Sequence, residues 1–295
     1  MCIRDRSKAY KKHSVLKDLN FVIEENKITG LIGRNGVGKT TLMKLVAGFI
    51  KKTGGQLSVF GENPFNSLLV SANSIYIDDQ INLPNSLSLH QILEEAECFY
   101  KNWNRILVNR LFEYYQFNPY QAYDQLSKGK KSTFNMIIAI GARCPLTLMD
   151  EPTTGMDAGV RKEFYRILIK DYIDYPRTIL LSGHHLEEME DVLEDILLID
   201  EGKIIFHKPI EEVKTWAIGL QGKKHETAKW TNQKRILYKK NLGMDSEYIV
   251  VENNFSIEER QRLSSSGIVI TPVSASDACL YAVNKNRGRL EDVFK

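Results

Sequence analysis

Gly33-Arg34-Asn35-Gly36-Val37-Gly38-Lys39-Thr40 is the stretch on which the reading of this 295-residue chain turns. It fits G-x-x-x-x-G-K-[ST], a phosphate-binding loop. The flanks fit as well. Lys27–Gly33 is a short apolar run with strand character, and Lys39–Gly48 places Leu42, Leu45 and Val46 at helical spacing on one face. Glycines let successive backbone N–H groups turn inward on an anion with no side chain in the way. A helix starting near Lys39 adds the positive end of its dipole. Lys39 brings a charge to the β- and γ-phosphates, and Thr40 a hydroxyl for Mg²⁺. At ordinary residue usage chance gives this pattern in roughly one chain of this length in a hundred, and the strand–loop–helix context lowers that further. Gly33, Arg34, Asn35, Gly36, Val37, Gly38, Lys39, Thr40 and the adjoining Thr41 are therefore the candidate nucleotide-binding residues.

A phosphate loop needs a carboxylate for the metal ion, and hydrolysis needs a group to position or activate water. Leu146-Thr147-Leu148-Met149-Asp150-Glu151 supplies both at the end of an apolar strand, where ligands sit in open α/β sheets. Asp150 is the expected Mg²⁺ residue and Glu151 the expected general base. Further strands are expected at Gln56–Gly61, Ser74–Ile77, Thr178–Ser182, Ile196–Asp200 and Lys203–His207, with a helix at Ala158–Asp171. Between about Ser86 and Gly141 the pattern is mostly helical, at Leu89–Tyr100, Arg105–Gln116 and Lys131–Ile140. Strands alternating with helices predict an α/β core with a largely parallel sheet and a helical insertion.

On these residues and their order the chain resembles the ATP-binding cassette of ABC transporters over Ser7–His207. The resemblance implies a P-loop NTPase fold with a mixed sheet core and a helical subdomain at about 86–141. It matches Tyr10, ahead of the first strand, to the aromatic that stacks on adenine. Gln80, ending Ile75-Tyr76-Ile77-Asp78-Asp79-Gln80, is matched to the glutamine that senses Mg²⁺ and contacts the transmembrane partner. Leu126-Ser127-Lys128-Gly129-Lys130 stands where LSGGQ belongs: Ser127 and Gly129 keep the pattern, while Lys128 and Lys130 depart from it. The two lysines are expected to draw a partner's γ-phosphate at long range. Asp157, in Gly155-Met156-Asp157, would face a second cassette. His184 would be the switch histidine, chosen over His185 because Leu186-Glu187-Glu188 follows the family's usual L-E-E. Phe99-Tyr100-Lys101-Asn102-Trp103 and Phe164-Tyr165-Arg166, with Asp171-Tyr172, resemble the bacterial YtrB-type export and resistance subgroup.

The resemblance implies ATP and Mg²⁺ as cofactors, a separate transmembrane permease subunit and a second cassette as partners, and a place on the cytoplasmic face of the cell membrane. Two other readings compete. One is an ABC ATPase working away from membranes on ribosomes or DNA; the other is a nucleotide-binding regulatory module with little turnover, which the altered signature favours and Glu151 and His184 oppose.

Composition bounds the rest. Hydrophobic residues make up 43% and charged residues 26%, which excludes disorder and collagen. Mean hydropathy is −0.30, and apolar runs such as Met136–Ala142 fall far short of the ~20 residues of a membrane helix. Forty Lys and Arg against 37 Asp and Glu are too balanced for a general nucleic-acid binder, so no nucleic-acid partner is expected. Cys2, Cys98, Cys144 and Cys279 are scattered without ligand-like spacing and read as idle thiols. Residues 1–6 back-translate to a run resembling a sequencing-library adaptor and are expected to replace the true start, removing most of the first strand. No apolar signal-peptide region follows them. After Pro209 the character changes, and a small α+β domain is expected over 208–295. Within it Gly222–Lys240 holds seven Lys or Arg and one Glu. That stretch reads as a solvated face, with contact to anionic lipid as the functional alternative.

Overall fold

The computed structural model describes residues 2–10, 13–232 and 234–283, with side chains from Val15 onward. The chain divides into two compact units, residues 1–207 and 208–295.

In the first unit a six-stranded sheet carries β3 (Ile28–Ile32), β5 (Ser74–Ile77), β6 (Leu146–Asp150), β7 (Thr178–Gly183), β8 (Asp195–Asp200) and β9 (Lys203–Pro209) in the order β5-β6-β7-β3-β8-β9. The pairs β5–β6, β6–β7, β7–β3 and β3–β8 are all parallel. Every residue of β3, β6 and β7 is buried. This is why they read as continuous apolar runs: a parallel strand covered on both faces has no solvent side to alternate toward. A second, antiparallel sheet runs β2-β1-β4, from β1 (Cys2–Tyr10), β2 (His13–Val22) and β4 (Gly54–Ser58). Between the sheets lies α1 (Lys39–Val46), which buries Leu42, Met43, Leu45 and Val46 against Leu16, Leu19, Leu31, Leu148 and Leu197.

Three helices fill the expected helical stretch. The first, α3 (Leu89–Phe99), follows the short α2 (Leu68–Asn73) and is capped reciprocally by Ser88 and Gln91. Next is α4 (Arg105–Tyr114), capped by Asn104. The third, α5 (Lys128–Ala142), is capped by Ser127 and buried along nearly its whole length. Then α6 (Ala158–Asp174), capped by Asp157, connects β6 to β7.

Three expectations are corrected. The strand expected at Gln56–Gly61 runs from Gly54 to Ser58, because Phe60 and Gly61 turn the chain at φ 52° and 84° while Val59 and Glu62 bridge. Residues 2–6 are part of β1, so a first strand is present. Tyr10 ends that strand instead of preceding it, and its side chain lies outside the described residues. Of the cysteines, Cys98, Cys144 and Cys279 are free, and the Cys2 side chain lies outside the described residues. Burial pushes the Cys144 and Cys279 thiols up to about 12, which leaves them unreactive.

The second unit contains α7 (Ile210–Trp216), β10 (Ala217–Lys223), α8 (Lys224–Thr231), β11 (Ile236–Asn241), β12 (Ser246–Glu252), α9 (Ile257–Ser265), β13 (Val269–Pro272) and α10 (Ala275–Val283). Its antiparallel sheet runs β11-β12-β10-β13, a split βαβ arrangement of the ferredoxin-like type. Period-two alternation gives it two cores. Ile218, Leu220, Ile249 and Val251 face Phe255, Leu263 and Ile268, whereas Ala217 and Val250 face Val273, Ala278 and the ring of Tyr281.

Candidate functional site

Because β5, β6, β7, β3 and β8 run parallel, their C-terminal ends emerge at one edge. Register pairs Ile32 with Gly183, Asp150 with Ser182, and Ile77 with Met149. The phosphate loop after β3, the acidic pair at the end of β6, the histidines after β7 and the Asp78–Gln80 turn after β5 therefore meet there. A cleft of about 290 Å³ opens between them, lined by Asn35, Gly36, Gly38, Lys39, Thr40, Thr41, Asp79, Asp150 and Glu151, with Val15 at its side.

Gly38 is the N-cap of α1 at φ 110° and brings no side chain to the helix N-terminus, leaving the first-turn N–H groups to an anion. The Lys39 ammonium is buried and donates to the carbonyl oxygens of Gly33 (2.7 Å) and Arg34 (3.1 Å). Burial lowers its pKa, opposed by the nearby Glu151 and Asp150 charges. Val37 packs on the core below, its N–H turned onto the Arg34 carbonyl.

Asp150 is buried and fixed from both sides: the Ser182 hydroxyl donates to Oδ1, and the Tyr76 hydroxyl donates to Oδ2 at 3.3 Å. Burial beside Asp150 and Asp78 holds the Tyr76 phenol far above its ordinary value, so it remains a donor. Glu151 takes a left-handed backbone conformation, φ 48°, a strain of about 1–3 kcal/mol for a non-glycine residue. Its N–H donates to Ser182 Oγ (2.9 Å), and its carbonyl accepts from the Thr154 hydroxyl (2.9 Å). These bonds hold the turn that aims the carboxylate into the cleft. Glu151 Oε1 lies 3.5 Å from Lys39 Nζ and 3.5 Å from His184 Nδ1. The His184 and His185 rings stand 4.1 Å apart, in an adjoining cleft of about 360 Å³ that shares Asn35 and Glu151 with the first.

The donors fit Mg²⁺. Thr40 and Asp150 offer hard oxygen ligands in the cleft, and among the described residues no three His, Cys, Asp or Glu converge as a cage. One or two protein oxygens completed by phosphates and water is the arrangement this ion takes.

Other expected residues lie differently. Gln80 is exposed, its N–H held by Asp78 Oδ1 (3.1 Å), and it is Asp79 that lines the cleft. Lys128 and Lys130 do not extend freely toward a partner. Nζ of Lys128 is 3.3 Å from Asp79 Oδ2, while Lys130 turns back onto the Tyr115 carbonyl (2.5 Å) and over the Phe117 ring (4.8 Å). A Cβ on Gly129 would lie 2.5 Å from the Gly155 carbonyl oxygen, so a close backbone approach within this chain already requires glycine there. Ser127 and Asp157 are exposed and cap α5 and α6. Sequence reasoning missed Asp79, Tyr76 and Arg161. Arg161 binds Glu188 and the Met156 carbonyl (3.2 Å), joining the segments that carry Asp157 and His184.

Comparison with known proteins agrees with this geometry. The family model described as "ABC transporter" matches residues 16–154. The chain is 29% identical over 219 residues to the ABC transporter ATP-binding protein YtrB of Bacillus subtilis, covering 74% of this chain and 75% of that protein. It is 28% identical over 219 residues to the bacitracin transport ATP-binding protein BcrA of Bacillus licheniformis, covering 71% and 70%. The solved dimer of the ATP-binding cassette MJ0796 in a post-hydrolysis state with ADP and Pi superposes with a TM-score of 0.62 at 18% identity, over 71% of this chain and 98% of that one. At that identity the likeness is one of fold. The motif order, the sheet that gathers it and the family match lead to one assignment: this chain carries an ATP-binding cassette of the ABC transporter family.

Proposed function

We propose that the chain is the ATP-hydrolysing subunit of a bacterial ABC transporter, working through a separate transmembrane subunit and paired with a second cassette. The observation that carries this is the convergence of Lys39 and His184 on one oxygen of Glu151 beside Asp150. In this reading the phosphate loop and Lys39 bind the triphosphate, trading the Gly33 and Arg34 carbonyls for phosphate oxygens. Thr40 and Asp150 would hold Mg²⁺, which when bound would supply charge neutralisation for the phosphates. Glu151 takes the proton of a water attacking the γ-phosphorus as the bond to the β-phosphate oxygen breaks, releasing ADP and phosphate. His184 is proposed to hold the γ-phosphate and orient Glu151, a role its 3.5 Å approach to Glu151 Oε1 supports. Tyr10 is the proposed adenine-stacking residue. Ser127, Gly129 and Asp157 are proposed to face the second cassette.

No helix among the described residues is long and apolar enough to cross a membrane; in this reading a partner subunit supplies the transmembrane path. An apolar groove of about 510 Å³ along β5, walled by Ile77, Ile81, Leu83, Phe99 and Tyr100, supports its docking there. Tyr76 lines the same groove and reaches Asp150 with its hydroxyl, which joins the partner's surface to the nucleotide cleft. The names of YtrB and BcrA support transport, and the subgroup resemblance supports export from the cytoplasmic face. The basic stretch is mostly engaged internally. Lys229 pairs with Glu226, Arg235 with Glu252 and Lys239 with Glu247, while Lys224 and Lys234 bind the carbonyls of Met244 and Asn254. This favours a solvated structural face over a lipid anchor.

Calorimetry of the full chain with Mg²⁺ and ATP tests the reading, with Lys39→Ala as its control. Losing a charge-assisted contact of about 1.5–3 kcal/mol should weaken binding about 10- to 100-fold. Equal affinity in the two proteins would overturn it.

A further inference from the structure

One departure from the family pattern, Lys128, stands against a carboxylate at the wall of the nucleotide cleft. Asp79 lines the nucleotide cleft, in the place the sequence suggested for a neutral glutamine. Lys128 occupies the signature-like turn where the family has glycine, and its Nζ lies 3.3 Å from Asp79 Oδ2. Neither side chain arrives there by accident of exposure alone. The β5–β6 register brings the turn after Ile77 beside Asp150. The stem of Lys128 lies over Gly155, where a Cβ would come within 2.9 Å of Lys128 Cγ, and Ser132 Oγ fixes the same turn through the Thr154 carbonyl (2.6 Å). The first turn of α5 is thereby seated in this chain, with the Lys128 ammonium aimed at Asp79 while that of Lys130 turns back onto the Tyr115 carbonyl.

We propose that Asp79, and not Gln80, is the metal-facing residue contributed by the turn after β5, and that Lys128 is its positioning partner. The proposal rests on the ATP-binding reading above. A carboxylate at the wall of a phosphate site repels a bare polyphosphate and attracts a hard divalent cation. Asp79 therefore steepens the dependence of nucleotide affinity on metal. Lys128 softens it by neutralising Asp79, and a divalent ion in the cleft competes with Lys128 for the same oxygen. Nucleotide with metal and nucleotide without it consequently hold the first turn of α5 to the cleft with different strength.

The test is calorimetric and uses the full chain at low ionic strength, with ATP in EDTA and ATP with Mg²⁺ as the two ligands. The metal gain is the ratio of the two affinities. Exposed ion pairs change equilibria up to about fivefold, which sets the expected scale. Asp79→Asn should bind metal-free ATP about two- to fivefold tighter and lose a similar factor of metal gain. Lys128→Gln should bind metal-free ATP about two- to fivefold weaker and increase the gain. In the double variant the lysine change should have no further effect, because its partner is already neutral. An unchanged metal gain in Asp79→Asn would overturn the proposal, as would a Lys128→Gln effect that persists without Asp79. A larger loss of gain in Gln80→Ala than in Asp79→Asn would return the role to Gln80. Wild-type protein that binds ATP with neither ligand form would instead overturn the ATP-binding reading itself. Thermal unfolding of each variant guards against loss of fold, and both substituted side chains are partly or largely solvent-exposed.

Discussion

The two units each bury a carboxylate beside a hydroxyl and near a lysine, yet put it to opposite use. In the first, Asp150 accepts from Ser182 and Tyr76 and still lines a cleft, while the adjacent Glu151 reaches Lys39 and His184 from a strained turn. In the second, Glu247 is 1% exposed, accepts from the Thr227 hydroxyl and lies 2.8 Å from Lys239 Nζ. The difference follows from sheet type. A parallel sheet sends all its strand ends to one edge, so polar groups from distant segments meet around open space. The antiparallel sheet returns each strand to its neighbour, and its charges close on partners across the ladder. A buried acid is thus a functional candidate only where topology leaves a side of it open.

Glu151→Gln should produce the largest effect: loss of a general base lowers steady-state phosphate release about 10²–10⁴-fold, with ATP affinity retained in calorimetry. The matching Glu247→Gln should leave release and ATP affinity unchanged and instead lower stability by about 1–3 kcal/mol in urea titration, the cost of an unsatisfied buried group. A loss of release there would blur the contrast between the units.

That contrast extends to pH. Burial pushes the Glu247 carboxyl up, but the Lys239 and Thr227 hydrogen bonds outweigh it and hold it below its ordinary value of 4.5. A depressed carboxyl stabilises the fold fully above the unfolded value and ceases to do so as pH falls through the folded one. Wild type should therefore lose this contribution below about pH 4.5, and Glu247→Gln should show a shallower acid decline in the same window. The smallest effect is expected at Lys130. Its ammonium is held by the Tyr115 carbonyl and Phe117 ring, so Lys130→Gln should change the salt dependence of ATP-driven pairing of two chains little in light scattering. A marked loss of salt dependence would mean that Lys130 leaves this seat in the paired state.

Much of the cleft is legible in the sequence because its parts are contiguous. Gly33–Thr40 and Asp150–Glu151 are short runs whose chemistry is complete within a few residues, and the buried strands before them read as unbroken apolar segments. The turn after β5 was less legible. Nothing local distinguishes Asp79 from Gln80, and the choice is made by Asp78, which pins the Gln80 N–H, and by the register against β6. The lysines of the signature-like turn misled for a related reason: their partners, Asp79 and the Tyr115 carbonyl, are remote in sequence. In the second unit β11 was not legible, because it is mostly exposed and carries lysines on an edge, where apolar patterning is weakest.

The central claim is that Glu151 performs the chemistry of the cleft, and the identity of trapped nucleotide tests it most directly. Wild type and Glu151→Gln are incubated with Mg²⁺ and ATP, separated from free nucleotide, and the bound species is resolved by chromatography. The account predicts mostly ADP on the wild type and intact ATP on Glu151→Gln. ADP on both, formed at equal rates, would contradict it.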